Sequence, residues 1–135
     1  MDIILNPNME TNKTKLDALT QKIIGCAFEV SNTLGCGFLE KVYERALVQE
    51  LKIAGLNVKA QYPISVYYKG TVVGNFFADI LVENIILVEL KALNSLDNTH
   101  QAQCLNYLKA SNLNLCLLIN FGKPKVEIKR MIRNY

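Results

Sequence analysis

The chain has 135 residues, half of them hydrophobic and a fifth charged, with a formal net charge of +3. That length suits one domain, which buries about two-thirds of its unfolded surface and needs no disulfide staples. The four cysteines (Cys26, Cys36, Cys104 and Cys116) are scattered among apolar neighbours with no CxxC or Cys/His cluster, which argues against a zinc site and predicts buried free thiols. No run approaches the ~20 apolar residues of a membrane span. The start "MDIILNPNMETN" lacks the layout of a secretion signal, so the chain reads as soluble and cytoplasmic.

Residues 1–13 predict a flexible N-terminal arm, because Pro7 and the Asn/Thr content argue against regular structure. From Lys15 to Leu34, apolar residues recur at helical spacing (Leu16, Leu19, Ile23, Ala27, Val30, Leu34), and "LGCG" closes the helix. A second helix is expected from Phe38 to about Ala54, with Leu39, Val42, Tyr43, Ala46, Leu47 and Leu51 inward and Gly55 as its stop. The period then shortens. Three strands are predicted at about 58–68, 71–82 and 85–92, joined by the turns "YKGT" and "VENI", with Pro63 marking an edge strand or a bulge. Asp97, Asn98 or Thr99 is placed to cap a third helix running to Ser111. "LNLCLLINF" (113–121) reads as a strand covered on both faces, and the basic tail as a last edge strand. The order α-α-β-β-β-α-β-β predicts an α/β fold, a mixed central sheet flanked by helices.

Three charges interrupt the apolar strands "FFADILVENIILVELKA": Asp79, Glu89 and Lys91. Charge inside such strands is costly unless paired or bound. Residues two apart on a strand share a face, so Glu89 and Lys91 point one way and Leu90 the other. Asp79 lies one hairpin length earlier. Two carboxylates on adjacent strands suit a hard cation such as Mg2+, with Mn2+ as a substitute, and Lys91 suits orienting water or countering phosphate charge. A solvated salt bridge is the simpler account of one ExK, but not of three charges in central strands. Glu40 shares a helix face with Tyr43, Glu44 and Leu47 and is a candidate third carboxylate, although from spacing alone an exposed glutamate beside a core tyrosine is the better account. His100, Gln103 and Tyr107 lie along one face of the third helix, offering hydrogen bonds to phosphate or water. His100 is equally read as a polar first-turn residue. Lys123, Lys125, Lys129, Arg130 and Arg133 are candidate contacts to a nucleic-acid backbone, or simply a solvated edge that deters strand pairing.

Together these residues resemble the PD-(D/E)XK nuclease superfamily, with Asp79 on the second core strand, Glu89-x-Lys91 on the third, and Ala78 where the superfamily name has Pro. Gln103-x-x-x-Tyr107 resembles the QxxxY motif of its RecB-like branch. "GFLEKVY" (37–43) is similar to the signature of the bacterial GxxExxY family, with departures at Ser31, where members often carry His, and Cys36, where Pro is usual. The resemblance implies a restriction-endonuclease-like α-β-β-β-α-β core in one domain spanning 14–135. It implies a metal site of Asp79, Glu89, Glu40 and the Leu90 carbonyl, and catalytic roles for Lys91, Gln103 and Tyr107. It further implies a nucleic-acid substrate, DNA more than RNA, and allows a homo-oligomer. The alternative is a catalytically weak nuclease-fold module that binds nucleic acid or a partner protein.

The site makes a demand on the hairpin. A two-residue turn at Glu83-Asn84 would set Asp79 against Val88 and send Glu89 to the opposite face. A three-residue loop, with Val82 opposite Ile86, instead places Asp79 across from Glu89, and Asn84 tolerates the left-handed conformation such a loop wants.

Overall fold

The computed structural model describes residues 7–133, with side chains from Lys13 onward. Two helices, α1 (Pro7–Leu34) and α2 (Glu40–Ile53), lead into β1 (Val58–Tyr68), β2 (Thr71–Val82) and β3 (Ile86–Lys91). Helix α3 (Asn98–Ser111), β4 (Leu115–Asn120) and β5 (Glu127–Ile132) complete the order. Helix α1 reaches back to Pro7, into the segment expected as an irregular arm. Proline is accepted in the first turn of a helix, where its missing N–H has no partner to lose. The first part of that expected arm, residues 1–6, lies outside the described residues. No helix among the described residues is long and apolar enough to cross a membrane.

The five strands form one sheet in the order β1-β2-β3-β4-β5, with β3 and β4 parallel and the other pairs antiparallel. Strand β1, which carries Pro63, lies at an edge, as proline requires. Parallel neighbours need a crossover, and α3 supplies it. Helices α1 and α2 cover one face, packing Ile23, Val30, Leu47 and Leu51 on Ile80, Val82, Ile86, Val88, Leu90, Leu117 and Ile119. Helix α3 covers the other, with Cys104 and Leu108 on Leu81, Leu87, Cys116 and Leu118. Burial of β3 and β4 on both sides explains why they read as continuous apolar runs. Three cysteines are buried free thiols as expected. Cys36 is exposed instead, because it sits in the tight turn between Gly35 and Gly37.

The β2–β3 turn holds Glu83 at φ 53° and Asn84 at φ 58°, both left-handed. Ile80 pairs with Val88, Leu81 with Leu87 and Val82 with Ile86, which is the three-residue-loop register.

Candidate active site

The β2–β3 ladder stops at Ile80–Val88, one step short of Asp79 and Glu89. There the strands separate and side chains bridge them. The Asp79 N–H donates to Glu89 Oε1 at 2.9 Å, and the Leu90 N–H donates to Asp79 Oδ2 at 2.8 Å. Each carboxylate thus caps backbone beside the other. Their second oxygens take no hydrogen bond from the described residues, yet no buried side-chain oxygen lacks a partner, so both reach solvent.

The pleat also turns over here. Ala78 packs on the α3 side while Ile80 packs on the α1/α2 side, although residues two apart in a regular strand share a face. In the neighbouring strand, Gln61 adopts φ 55°, and no pair joins it to Asp79 between Ala60–Ile80 and Tyr62–Ala78. Such an irregularity re-aims a side chain, as bulges beside functional sites do. Gln61 is held in place by Glu44, whose Oε1 accepts from Gln61 Nε2 at 2.5 Å and whose Oε2 pairs with Lys41 Nζ at 2.5 Å. Glu40, Lys41, Glu44, Gln61 and Asp79 line a cleft of about 260 Å³.

The expected Glu40 therefore does stand by Asp79, at the rim of this cleft. The preceding loop explains its placement. Gly37 sits at φ 114°, a conformation glycine alone adopts freely. The Tyr43 hydroxyl donates to the Gly35 carbonyl at 2.7 Å and accepts from the Phe38 N–H at 3.2 Å. The buried Tyr43 ring stacks on Phe121 with centroids 4.8 Å apart. The glycine and the tyrosine fix the start of α2, and the glutamate between them projects toward the acids. Glu44, Lys41 and Gln61 were not foreseen as site residues. The available signal was Glu44 on the inward face of α2 and a glutamine inside β1 next to Pro63.

Electrostatics follow from this crowding. Burial first, and then the Asp79 charge, push the Glu89 carboxyl up to about 9. Asp79 is raised by burial and Glu44, against the lowering hydrogen bond from Leu90 and the charges of Lys91 and Lys41. Glu40 is raised by withdrawal from water and then by Asp79. These groups resist ionising together, with Lys91, Lys41 and, for Glu40, His100 as partial compensation, which is the state a cation relieves. Among the described residues, no three His, Cys, Asp or Glu side chains converge as a ready metal cage. Two carboxylates are nonetheless enough for a hard divalent ion that keeps its waters, so the donor set fits such an ion at Asp79 and Glu89.

Helix α3 lies over the Glu89–Lys91 face. Gln103 Nε2 donates to the Tyr107 hydroxyl at 3.1 Å, and Tyr107 stays protonated to higher pH because of burial and the Glu89 charge. His100 performs the structural role: its N–H and that of Thr99 bond Asp97 Oδ1, and its Nδ1 accepts from the Asp97 N–H, closing a capping box. It still lies within electrostatic reach of Glu40. The basic tail lies apart, since β4 separates β5 from β3. Arg130 pairs with Asp17 at 2.6 Å, Lys123 with Glu127 at 3.7 Å, and Arg133 donates to Asn112. Lys125 and Lys129 are exposed and form no ion pair among the described residues. Ser31 is buried on α1, and no hydrogen bond links it to either acid.

Residues 17–131, from α1 to β5, match the family model of the PD-(D/E)XK nuclease superfamily. The chain belongs to that superfamily. PD-(D/E)XK nucleases generally use divalent metals. The PD-(D/E)XK fold is likewise seen in its mixed sheet and flanking helices. The crystal structure of SSO0001 is similar, with a TM-score of 0.56 and 16% identity over 70% of this chain and 50% of that one. This chain spans half of that protein's length, and the likeness concerns fold alone. No curated protein matches the sequence.

Proposed function

We propose that the chain is a Mg2+-dependent nuclease of the GxxExxY, QxxxY-bearing type, acting through one nuclease domain over residues 14–135 to hydrolyse phosphodiester bonds in DNA or RNA. The observation that carries the reading is the Asp79–Glu89 pair, with one oxygen of each carboxylate anchored to backbone and the other taking no hydrogen bond from the described residues. Asp79 and Glu89 would hold the divalent ion, with Glu40 and the Leu90 carbonyl beside them; when bound, it lowers the pKa of water and offsets phosphate charge.

The chain's own residues supply the rest. Lys91 shares a strand face with Glu89 and forms no ion pair within the described residues, so its ammonium is available to orient the attacking water and to meet charge growing on the phosphate. The Tyr107 hydroxyl accepts from Gln103, which leaves its own proton to donate toward a phosphate oxygen. The Glu44–Gln61 bond keeps the pleat turned over at Asp79. Water adds to phosphorus, the P–O bond to the leaving sugar oxygen breaks, and that oxygen takes up a proton. Lys125 and Lys129 are the tail cations best placed to bind backbone phosphates, because they are exposed and unpaired among the described residues.

The test is cleavage of single- and double-stranded DNA and RNA with Mg2+ or Mn2+, comparing the wild type with Asp79→Asn and Glu89→Gln. Metal-dependent cleavage lost in both variants is expected. Equal activity of the wild type and both variants, or none from either, overturns the proposal.

A further inference from the structure

A second and larger concavity, of about 790 Å³, lies between the β1–β2 hairpin and α3. The hairpin makes it possible. Strands β1 and β2 stay paired to their tip at Tyr68–Thr71, whereas β3 accompanies β2 only over Ile80–Val82, so the distal half projects from the sheet as an arm. Its rings are unusually bare: Tyr67 is 67% exposed and Phe76 45%. Both line the groove. On the opposite wall stand Gln103, Asn106, Tyr107 and Lys109 of α3, and Phe76 touches Tyr107 with ring centroids 5.8 Å apart.

Three features say what the groove receives. First, no acidic residue lines it, and Lys109 does; the neighbouring cleft, by contrast, is lined by Glu40, Glu44 and Asp79. A polyanion is admitted by the one and held off by the other unless a cation intervenes. Second, the groove comes near the candidate active site, because Tyr107 on its wall lies within the field of Glu89 and Asp79. Third, its exposed groups are ring faces beside amide donors. Aromatic faces gain most from bases that are not already stacked in a duplex, while amides and a lysine serve the backbone and base edges.

We propose that this groove is a binding channel for a single, unpaired nucleic-acid strand, which it feeds to Asp79 and Glu89 while bases stack on Tyr67 and Phe76. The inference deepens the nuclease reading and rests on it for the identity of the polymer.

The experiment is fluorescence anisotropy of labelled oligomers of about 12 nucleotides, a length within the span single-strand folds cover, with the full chain held in EDTA so that binding is read without cleavage. Arms with single-stranded DNA, single-stranded RNA and the matching duplex distinguish the ligands. Tighter binding of a single strand than of the duplex is expected. Phe76→Ala and Tyr67→Ala should each weaken single-strand affinity by about 5- to 150-fold. Tyr67 is largely exposed and Phe76 about half so, and circular dichroism verifies folding of each variant. Lys109→Gln should lessen the slope of log affinity against log salt by about 0.7. A duplex bound as tightly as the single strand overturns the channel, as does unchanged affinity in both ring variants. Self-association of the wild type that Phe76→Ala abolishes without altering single-strand affinity also overturns it, in favour of a second copy on the arm. Cleavage with Mg2+ alongside failed single-strand preference sinks the channel and spares the nuclease; ring-dependent binding without cleavage does the reverse.

Discussion

Replacing Glu89 by glutamine in the metal-free protein should make it more stable at neutral pH. Glu89 is 4% exposed, and its carboxyl is raised from 4.5 to about 9 by burial and by Asp79. A group whose folded pKa lies above its unfolded one stabilises fully below the unfolded value, and that contribution is lost as pH rises through the folded value. The window therefore runs from pH 4.5 to about 9. Within it the unfolded chain has released the proton and the folded chain has not. Each pH unit then removes about 1.4 kcal/mol, so on the order of 3 kcal/mol is gone between pH 4.5 and pH 7. Glutamine has the same shape, its Oε1 still accepts the Asp79 N–H, and it cannot ionise. The two proteins should match in stability near pH 4.5, and the variant should lead by about 3 kcal/mol at pH 7. Urea denaturation followed by circular dichroism in EDTA, from pH 4.5 to 8, gives the difference curve; titrating groups far from Glu89 cancel between the two proteins, whereas Asp79, coupled to it, contributes to the difference. Millimolar Mg2+ should reverse the order at pH 7 by stabilising the wild type alone. A difference curve flat in pH, or a variant weaker than the wild type at pH 7 without metal, refutes the reasoning.

Lys91→Ala should cut turnover at least 100-fold, on the scale of lost electrostatic stabilisation, with little change in Mg2+ affinity by calorimetry; equal losses would reduce Lys91 to a support. Glu44→Ala strips Gln61 of its bond and Lys41 of its ion pair, and thermal melts should show a loss of about 1–3 kcal/mol. Gln61→Gly trades that bond for relief of its left-handed backbone, so stability should stay within about 1 kcal/mol of the wild type while nuclease activity falls as Asp79 loses its aim. Gly122→Ala would place its Cβ 2.2 Å from the Leu93 carbonyl oxygen and 2.3 Å from the Leu93 nitrogen; destabilisation of about 3 kcal/mol is expected from denaturant midpoints, as for other overpacked sites.

Much of this was legible because it is local. The hairpin 58–68/71–82 followed from β-branched and aromatic runs broken at "KG", and it stands at those residues. The three-residue loop followed from requiring two acids to meet, and the ladder has that register. The pleat inversion was not legible, since it needs Gln61, Glu44 and Asp79, three residues far apart in sequence whose geometry arises only when α2 docks on the sheet. The same is true of Asn120. It is fully buried, with Oδ1 accepting from the Leu93 and Gly122 N–H groups and Nδ2 donating to the Leu93 carbonyl, and it thereby holds the chain just past Lys91. A lone asparagine at a strand end carries no such message. The tail cations were read from charge alone, which cannot foresee that Asp17, distant in sequence, takes up Arg130.

The junction at Asp79 has a mechanical consequence. Beyond Ile80, the arm of β1 and β2 has no ladder to β3, and the two bonds at its root end on carboxylate oxygens rather than carbonyls. A carbonyl acceptor keeps its strength whatever happens around it, whereas a carboxylate weakens as an acceptor once it shares its charge with a proton or a cation. The root of the lever is thus fastened by the same atoms that do the chemistry. Loading the site slackens the fastening, and swinging the arm tugs on the acids, so the pose of the hairpin and the occupancy of the carboxylates form one coupled equilibrium.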